Sequence, residues 1–165
     1  MTATNSSSIP CGVRNRAGSG FYLRTHVIYG QSQFEQLYLQ YAPYGPGAAT
    51  PTFTTSKDTA FWTYYDPTSR SIAFWQGNCL WSGLSMVLDV DMNSYGPALI
   101  TQAIGTARMQ VVDGELTWDN DRFGWWLVCQ KNGQFQLMWW DTVTNQGIDT
   151  SICAEVQLLL ENATS

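Results

Sequence analysis

Asp89, Asp91 and the residues that follow them carry side chains suited to binding hydroxyl groups. Asp89 and Asp91 are two residues apart at the end of a predicted strand and so share a face; Asn93 and Tyr95 come next. Carboxylates and amides hydrogen-bond to hydroxyl pairs, and an aromatic ring stacks on the apolar face of a pyranose. We therefore take Asp91, Asn93 and Tyr95 as candidate carbohydrate contacts, with an ordinary polar turn as the competing interpretation.

Tryptophan is concentrated between residues 123 and 140, where the chain reads FGWWLVCQKNGQFQLMWW and holds four of its eight tryptophans. Asn132-Gly133 between two apolar runs predicts a hairpin with a type I′ turn, since both central residues of that turn need positive φ. Alternation along a strand sends the two members of each Trp-Trp pair to opposite faces. We expect one member of each pair in the core and take Trp126 and Trp140 as candidate ligand contacts.

Few residues match known catalytic or cofactor chemistry. The only histidine, His26, shares a strand face with Arg24, which favours a partly exposed structural role. Asp119-Asn120-Asp121 is typical of a turn and has no EF-hand spacing. The phosphate-binding, nucleophile-elbow and zinc-protease signatures are absent from the sequence, so we predict no cofactor and no metal and assign no catalytic residue.

The composition argues against nucleic-acid and membrane partners. The chain has 165 residues, a net charge of −5 and only 13% charged residues, and its eight basic residues form no cluster, which argues against a nucleic-acid partner. No apolar run reaches the length of a membrane helix, and we expect no membrane partner. We predict a flexible segment over 1–19, one domain over 20–161 and a short tail over 162–165.

The domain is predicted to be all-β. About a dozen short β-like runs follow Gly20, in three groups of four, which favours a β-trefoil-like closed barrel over a β-sandwich or another β-barrel. The last group includes a weak run over 148–152. The segment YAPYGPGAATP at 41–51 is predicted to be a surface loop, because its prolines disfavour a helix or a central strand.

Four widely spaced cysteines allow three pairings, of which we favour Cys129 with Cys153 and Cys11 with Cys79. Disulfides form in oxidising compartments, so this pattern predicts a secreted or cell-wall protein. The alternative is four buried thiols in a cytosolic protein.

Several short motifs resemble a family of small secreted proteins of filamentous fungi with no assigned function. They are FYLRT, LYLQYAPYGPG, ELTW, GWWLVC and the last cysteine in ICAEVQLLLE. The resemblance implies a fungal origin and supports the Cys129–Cys153 pair, but it says nothing of Cys11 and Cys79 and implies no catalytic residue.

The function expected from these observations is a secreted binding module for a carbohydrate or another small neutral ligand. One alternative is an enzyme without a familiar signature, a cyclase or isomerase of secondary metabolism, with an aromatic pocket and His26 or a carboxylate for proton transfer. Another is a host-interaction protein. The sequence leaves open the ligand, the oligomeric state and whether the protein is an enzyme.

Overall fold

The protein is all-β, as predicted. The computed structural model describes residues 20–43, 47–75, 81–88, 95–143 and 147–163. Its strands are β1 (Phe21–Tyr29), β2 (Tyr38–Pro43), β3 (Ala48–Thr54), β4 (Thr63–Asp66), β5 (Ser71–Trp75), β6 (Trp81–Met86), β7 (Gly96–Thr101), β8 (Met109–Val112), β9 (Glu115–Trp118), β10 (Phe123–Lys131), β11 (Gln134–Asp141) and β12 (Cys153–Asn162). Two 3-10 turns occupy Ser32–Phe34 and Lys57–Thr59. Within the described ranges, no helix is long and apolar enough to cross a membrane.

All twelve strands belong to one antiparallel sheet that closes into a ring. Around the ring, β1 pairs with β12 and β4, β4 with β5, β8 with β9, and β9 with β12. The N–H of Met109, at the start of β8, donates to the carbonyl of Arg70 beside β5 at 2.8 Å. Three hairpins, β2–β3, β6–β7 and β10–β11, complete the sheet, and β3, β7 and β11 also pair with one another.

One large apolar core fills the space inside the ring. Alternation along β1 explains how the strands supply it: Phe21, Leu23 and Thr25 are buried, whereas Tyr22 and Arg24 are partly exposed on the opposite face. The other strands contribute the largest fully buried side chains, which include Leu39, Ile72, Phe74, Leu84, Ile100, Met109, Leu116, Trp126 and Trp139.

The predicted turn between the tryptophan-rich strands is confirmed. Asn132 and Gly133 have φ of 53° and 73°, the positive values that a type I′ turn requires. Asp113-Gly114 repeats this conformation between β8 and β9, with φ of 51° and 78°.

Two predictions about individual elements are wrong. The segment 41–51 contains the end of β2 and the start of β3, and Pro51 pairs with Tyr41. Pro51 lies between Ala49, which pairs with β7, and Thr52, which pairs with β11, and its own described partner is Tyr41 of β2. Residues 148–152 form a turn rather than a strand.

Candidate functional site

The first set of predicted contacts is only partly within the described residues. Asp91 and Asn93 lie outside them, as does Asp89. The Tyr95 hydroxyl donates to the carbonyl of Gly147 at 2.8 Å and accepts from the N–H of Asp149 at 2.7 Å. This side chain therefore holds the 147–149 segment in place.

The tryptophan pairs divide between two faces as predicted, but the outward member of the first pair is Trp125 rather than Trp126. Trp126 is 1% exposed, and its indole N–H donates to the carbonyl of Leu116 at 2.6 Å. Trp139 is also fully buried, whereas Trp125 is 39% exposed. Trp126 presents no ring to solvent because this face of the hairpin closes the main core.

A second, smaller core lies on the outer face of the β10–β11 hairpin. It consists of Leu127, Cys129, Met138 and Cys153, with Tyr95, Trp140 and Ile148 packed against it. The predicted Cys129–Cys153 disulfide is confirmed, whereas Cys11 and Cys79 lie outside the described residues. Trp125 meets the half-buried Trp140 edge to face, with ring centroids 5.2 Å apart. The outward tryptophans therefore mainly cover the disulfide and its neighbours.

His26 has the surface position that its sequence context favours. Its Nδ1 lies 3.1 Å from Oε1 of Glu35, whose other oxygen accepts the N–H of Val27 at 2.6 Å. Burial alone would raise the pKa of Glu35, but these hydrogen bonds and the His26 charge outweigh it and lower that pKa. The pair connects β1 to the turn that follows it.

A cleft of about 320 Å³ lies between the β4–β5 hairpin, β6 and the segment after β7. We call it the Asp66 cleft. Its lining combines a carboxylate, hydroxyls, an amide and an aromatic ring with small residues: Tyr64, Asp66, Ser69, Ser71, Ala73, Ser82, Gly83, Gln102, Ala103, Ile104 and Gly105. The volume falls within the range typical of small-molecule sites.

A chain of hydrogen bonds organises the acidic side of this cleft. The Ser69 hydroxyl donates to Oδ2 of Asp66 at 2.6 Å, and the Thr68 N–H donates to Oδ1 at 2.9 Å. The oxygens of Ser69 and Ser71 are 2.7 Å apart, and since the single proton of Ser69 goes to Asp66, Ser71 donates to Ser69. These bonds lower the pKa of Asp66, so the cleft holds a carboxylate at neutral pH.

Two glycines allow the opposite wall to approach β6. A Cβ on Gly83 would lie 2.1 Å from the nitrogen of Gly105, and a Cβ on Gly105 would lie 2.6 Å from the Leu84 carbonyl oxygen. The Thr106 N–H donates to that same carbonyl at 2.8 Å. Backbone thus packs on backbone, which positions Gln102 and the 80% exposed Ile104 at the cleft.

A second concavity, of about 480 Å³, lies where β7, β11 and the β10–β11 turn meet. We call it the Lys131 groove. Apolar and amide side chains dominate its lining, which comprises Thr50, Val87, Pro97, Ala98, Leu99, Lys131, Asn132, Gln134, Gln136, Leu137 and Met138. It shares no lining residue with the Asp66 cleft.

The fold and these concavities define an all-β protein with two small clefts, one lined by a carboxylate and the other by a lysine. Residues 18–162 match the family described as a domain of unknown function, DUF7907, and the chain belongs to that family. Comparison with curated proteins and with solved structures finds no match. Membership of a family with no assigned function agrees with the resemblance seen in the sequence.

Sequence reasoning missed Asp66 altogether. The available signal was DPTS at 66–69, an Asp directly after a strand and followed by hydroxyl residues. That pattern predicts a self-capping turn, which does form, but it contains no information about Gln102 or the glycines across the cleft.

Proposed function

We propose that the protein is a binding module for a carbohydrate or another small neutral polyhydroxyl ligand, and that the Asp66 cleft holds this ligand. The observation that carries the proposal is the hydrogen-bond chain of Ser71, Ser69 and Asp66 in a cleft that Gln102 also lines. The sequence suggested a carboxylate, an amide and an aromatic ring for this task, and the cleft combines the same three groups in Asp66, Gln102 and Tyr64.

The hydrogen-bond capacities in the cleft suit a hydroxyl-rich ligand. The Asp66 carboxylate accepts from Thr68 and Ser69, and as an acceptor-only group it can also accept from a ligand hydroxyl. The Ser71 oxygen has donated its proton and can likewise accept, while Gln102 offers both a donor and an acceptor. Tyr64 and Ile104 add apolar surface for the carbon skeleton of a sugar.

We propose further that the fold is a β-trefoil. In support, six strands follow one another around the ring, three hairpins lie outside it, and the inner strands of these hairpins pair mutually. This is the arrangement expected when three similar four-strand units close together. Under this proposal the Asp66–Ser71 pair of β4–β5 corresponds to the Glu161–Tyr22 pair of β12–β1.

Side-chain size then explains why one of these corresponding positions is open. Around Glu161, the Tyr38 hydroxyl donates to the carboxylate at 3.0 Å, and Lys57 forms a close ion pair with it. The Lys57 ammonium also lies 5.3 Å from the centre of the Tyr22 ring. Long side chains fill that position, whereas the small Ser71, Ala73 and Gly83 line the Asp66 cleft.

We also propose that the protein is exported by a fungal cell. The Cys129–Cys153 disulfide supports export, because such bonds persist in oxidising environments. The low proportion of charged residues agrees with an extracellular surface.

Titration with methyl glycosides of glucose, galactose, mannose and N-acetylglucosamine, followed by amide chemical shifts, tests the binding proposal. We expect at least one glycoside to shift amides of residues 66–73 and 102–105 at up to about 10 mM, the weak affinity typical of a few hydrogen bonds. Asp66→Asn should weaken binding by about tenfold or more, since bonds to a charged group are the stronger ones.

Asp58→Asn is the matched control, since Asp58 is exposed and does not line the cleft. It should leave the affinity unchanged. The proposal fails if none of the four glycosides shifts the cleft amides, or if Asp66→Asn binds as tightly as the wild type.

A further inference from the structure

The Lys131 groove has an apolar base and a polar end. Pro97 and Leu99 from β7 lie beside Met138 from β11, which pairs with Pro97, and these residues contribute to the apolar lining. Lys131, Gln134 and Gln136 stand at the end nearest the hairpin turn. A concavity of this size that combines apolar surface with polar groups is a usual form of a small-molecule site.

The charge of the groove is opposite to that of the chain. The protein carries thirteen acidic residues and a net charge of −5, yet among the described residues no Asp or Glu lines the groove. Among the described residues that line the groove, only Lys131 carries a charged side chain. Lys131 therefore gives the described lining of the groove a positive charge that can attract an anionic group, although the protein as a whole is acidic.

Lys131 also differs from the other described cations. Each of the others forms an ion pair with a carboxylate: Arg24, Lys57, Arg70, Arg108 and Arg122. Lys131 has no such pair within the described part of the chain. A type I′ turn follows it directly, so Lys131 lies at the end of β10 beside the groove.

We propose that the Lys131 groove binds a small amphiphilic carboxylate, whose head group meets Lys131 and the neighbouring amides and whose apolar body lies on Pro97, Leu99 and Met138. The head group gains a charge-assisted hydrogen bond from the ammonium and further bonds from the Gln134 or Gln136 amide. The body gains from removal of apolar surface from water. This site is separate from the Asp66 cleft and does not depend on the function proposed for it.

Titration with octanoate, octanamide and octylamine below their aggregation concentrations tests the proposal by calorimetry and amide chemical shifts. The three probes share one apolar body and differ in the charge of the head group. We expect octanoate to bind most tightly and to shift amides over 97–99 and 131–138. Octanamide should bind about tenfold more weakly, and octylamine more weakly still.

Two variants separate the contributions of charge and apolar contact. Lys131→Gln should reduce the octanoate affinity to that of octanamide, whereas Lys57→Gln, a lysine outside the groove, should leave it unchanged. Leu99→Gln should weaken octanoate and octanamide alike. The proposal is overturned if octanoate shifts no groove amide, if Lys131→Gln binds it as tightly as the wild type, or if octylamine binds equally well.

Discussion

The fold shifts the pKa values of individual carboxylates in opposite directions. Hydrogen bonds from Ser69 and Thr68 lower the pKa of Asp66, whereas burial raises the pKa of Glu155. The difference arises because Asp66 has donors around it, while Glu155 stands between Tyr29 and Leu127 on the neighbouring strands. At the residue scale, stability and binding therefore depend on which carboxylates have hydrogen-bond donors that compensate for their burial.

Glu155→Gln should stabilise the protein at pH 7. Because the folded-state pKa of Glu155 lies above its unfolded value, the ionised group costs stability above the folded pKa and costs none below about pH 4. We expect a gain of about 0.5 kcal/mol or less at pH 7, limited by solvent screening of a half-buried group. Urea unfolding at several pH values measures it. A gain that persists undiminished at about pH 3 contradicts the proposed cause.

The two adjacent tryptophans of β10 should differ sharply when truncated. Trp126→Ala removes a fully buried ring and its bond to Leu116, so we expect a loss of about 3–5 kcal/mol in unfolding free energy. Trp125→Ala loses one edge-to-face contact and should cost about 1 kcal/mol. Denaturant melts of both variants make the comparison, and equal losses would show that the two faces of the hairpin are assigned incorrectly.

At the scale of elements, the close approach of two backbone segments defines the Asp66 cleft. β6 accepts the 103–105 segment only because neither Gly83 nor Gly105 has a Cβ. The alternating pattern of β6 in the sequence predicts a strand but gives no sign of this contact. The cleft therefore depends on a tertiary requirement for glycine, which a single sequence does not reveal.

Gly83→Ala should displace the 103–105 segment and so change the shape of the Asp66 cleft. The new methyl group would overlap the backbone of Gly105, which cannot yield as a flexible side chain does, so we expect a loss of about 3 kcal/mol. Gly147→Ala is the control, since its Cβ would meet nothing within 4 Å. Thermal melts compare the two. Equal stability of Gly83→Ala and wild type would show that the segment packs elsewhere.

At the scale of the whole molecule, the closure of the ring depends on the last strand. β12 pairs with β1, β9 and β10, so it joins the beginning of the domain to its end. The disulfide lies on this strand, at the Cys129–Cys153 pair with β10. It therefore fixes the register of the element that completes the sheet.

Removal of this disulfide should destabilise the whole domain rather than one hairpin. For a sequence separation of 24 residues, loss of the crosslink from the unfolded chain costs about 3–4 kcal/mol. We expect Cys129→Ala/Cys153→Ala to unfold in a single transition at lower denaturant, monitored by tryptophan fluorescence and circular dichroism. Separate transitions by the two probes would mean that β12 detaches while the rest of the ring remains folded.

Local chemistry in the sequence was enough to predict the all-β class, the Asn132-Gly133 turn and the division of each tryptophan pair, because these features depend on φ preferences and on alternation along a strand. The Cys129–Cys153 bond was the favoured one of three possible pairings, and the family resemblance supported it. The sequence did not predict β3, because the partners that accommodate Pro51 come from distant strands. It also did not show which face of β10 is inward, since alternation defines two faces but does not say which one meets the core.

Only the tertiary structure placed Asp66 and Gln102 in one cleft and Lys131 beside an apolar groove. These arrangements join residues that are far apart in the chain, through strand pairing and backbone packing.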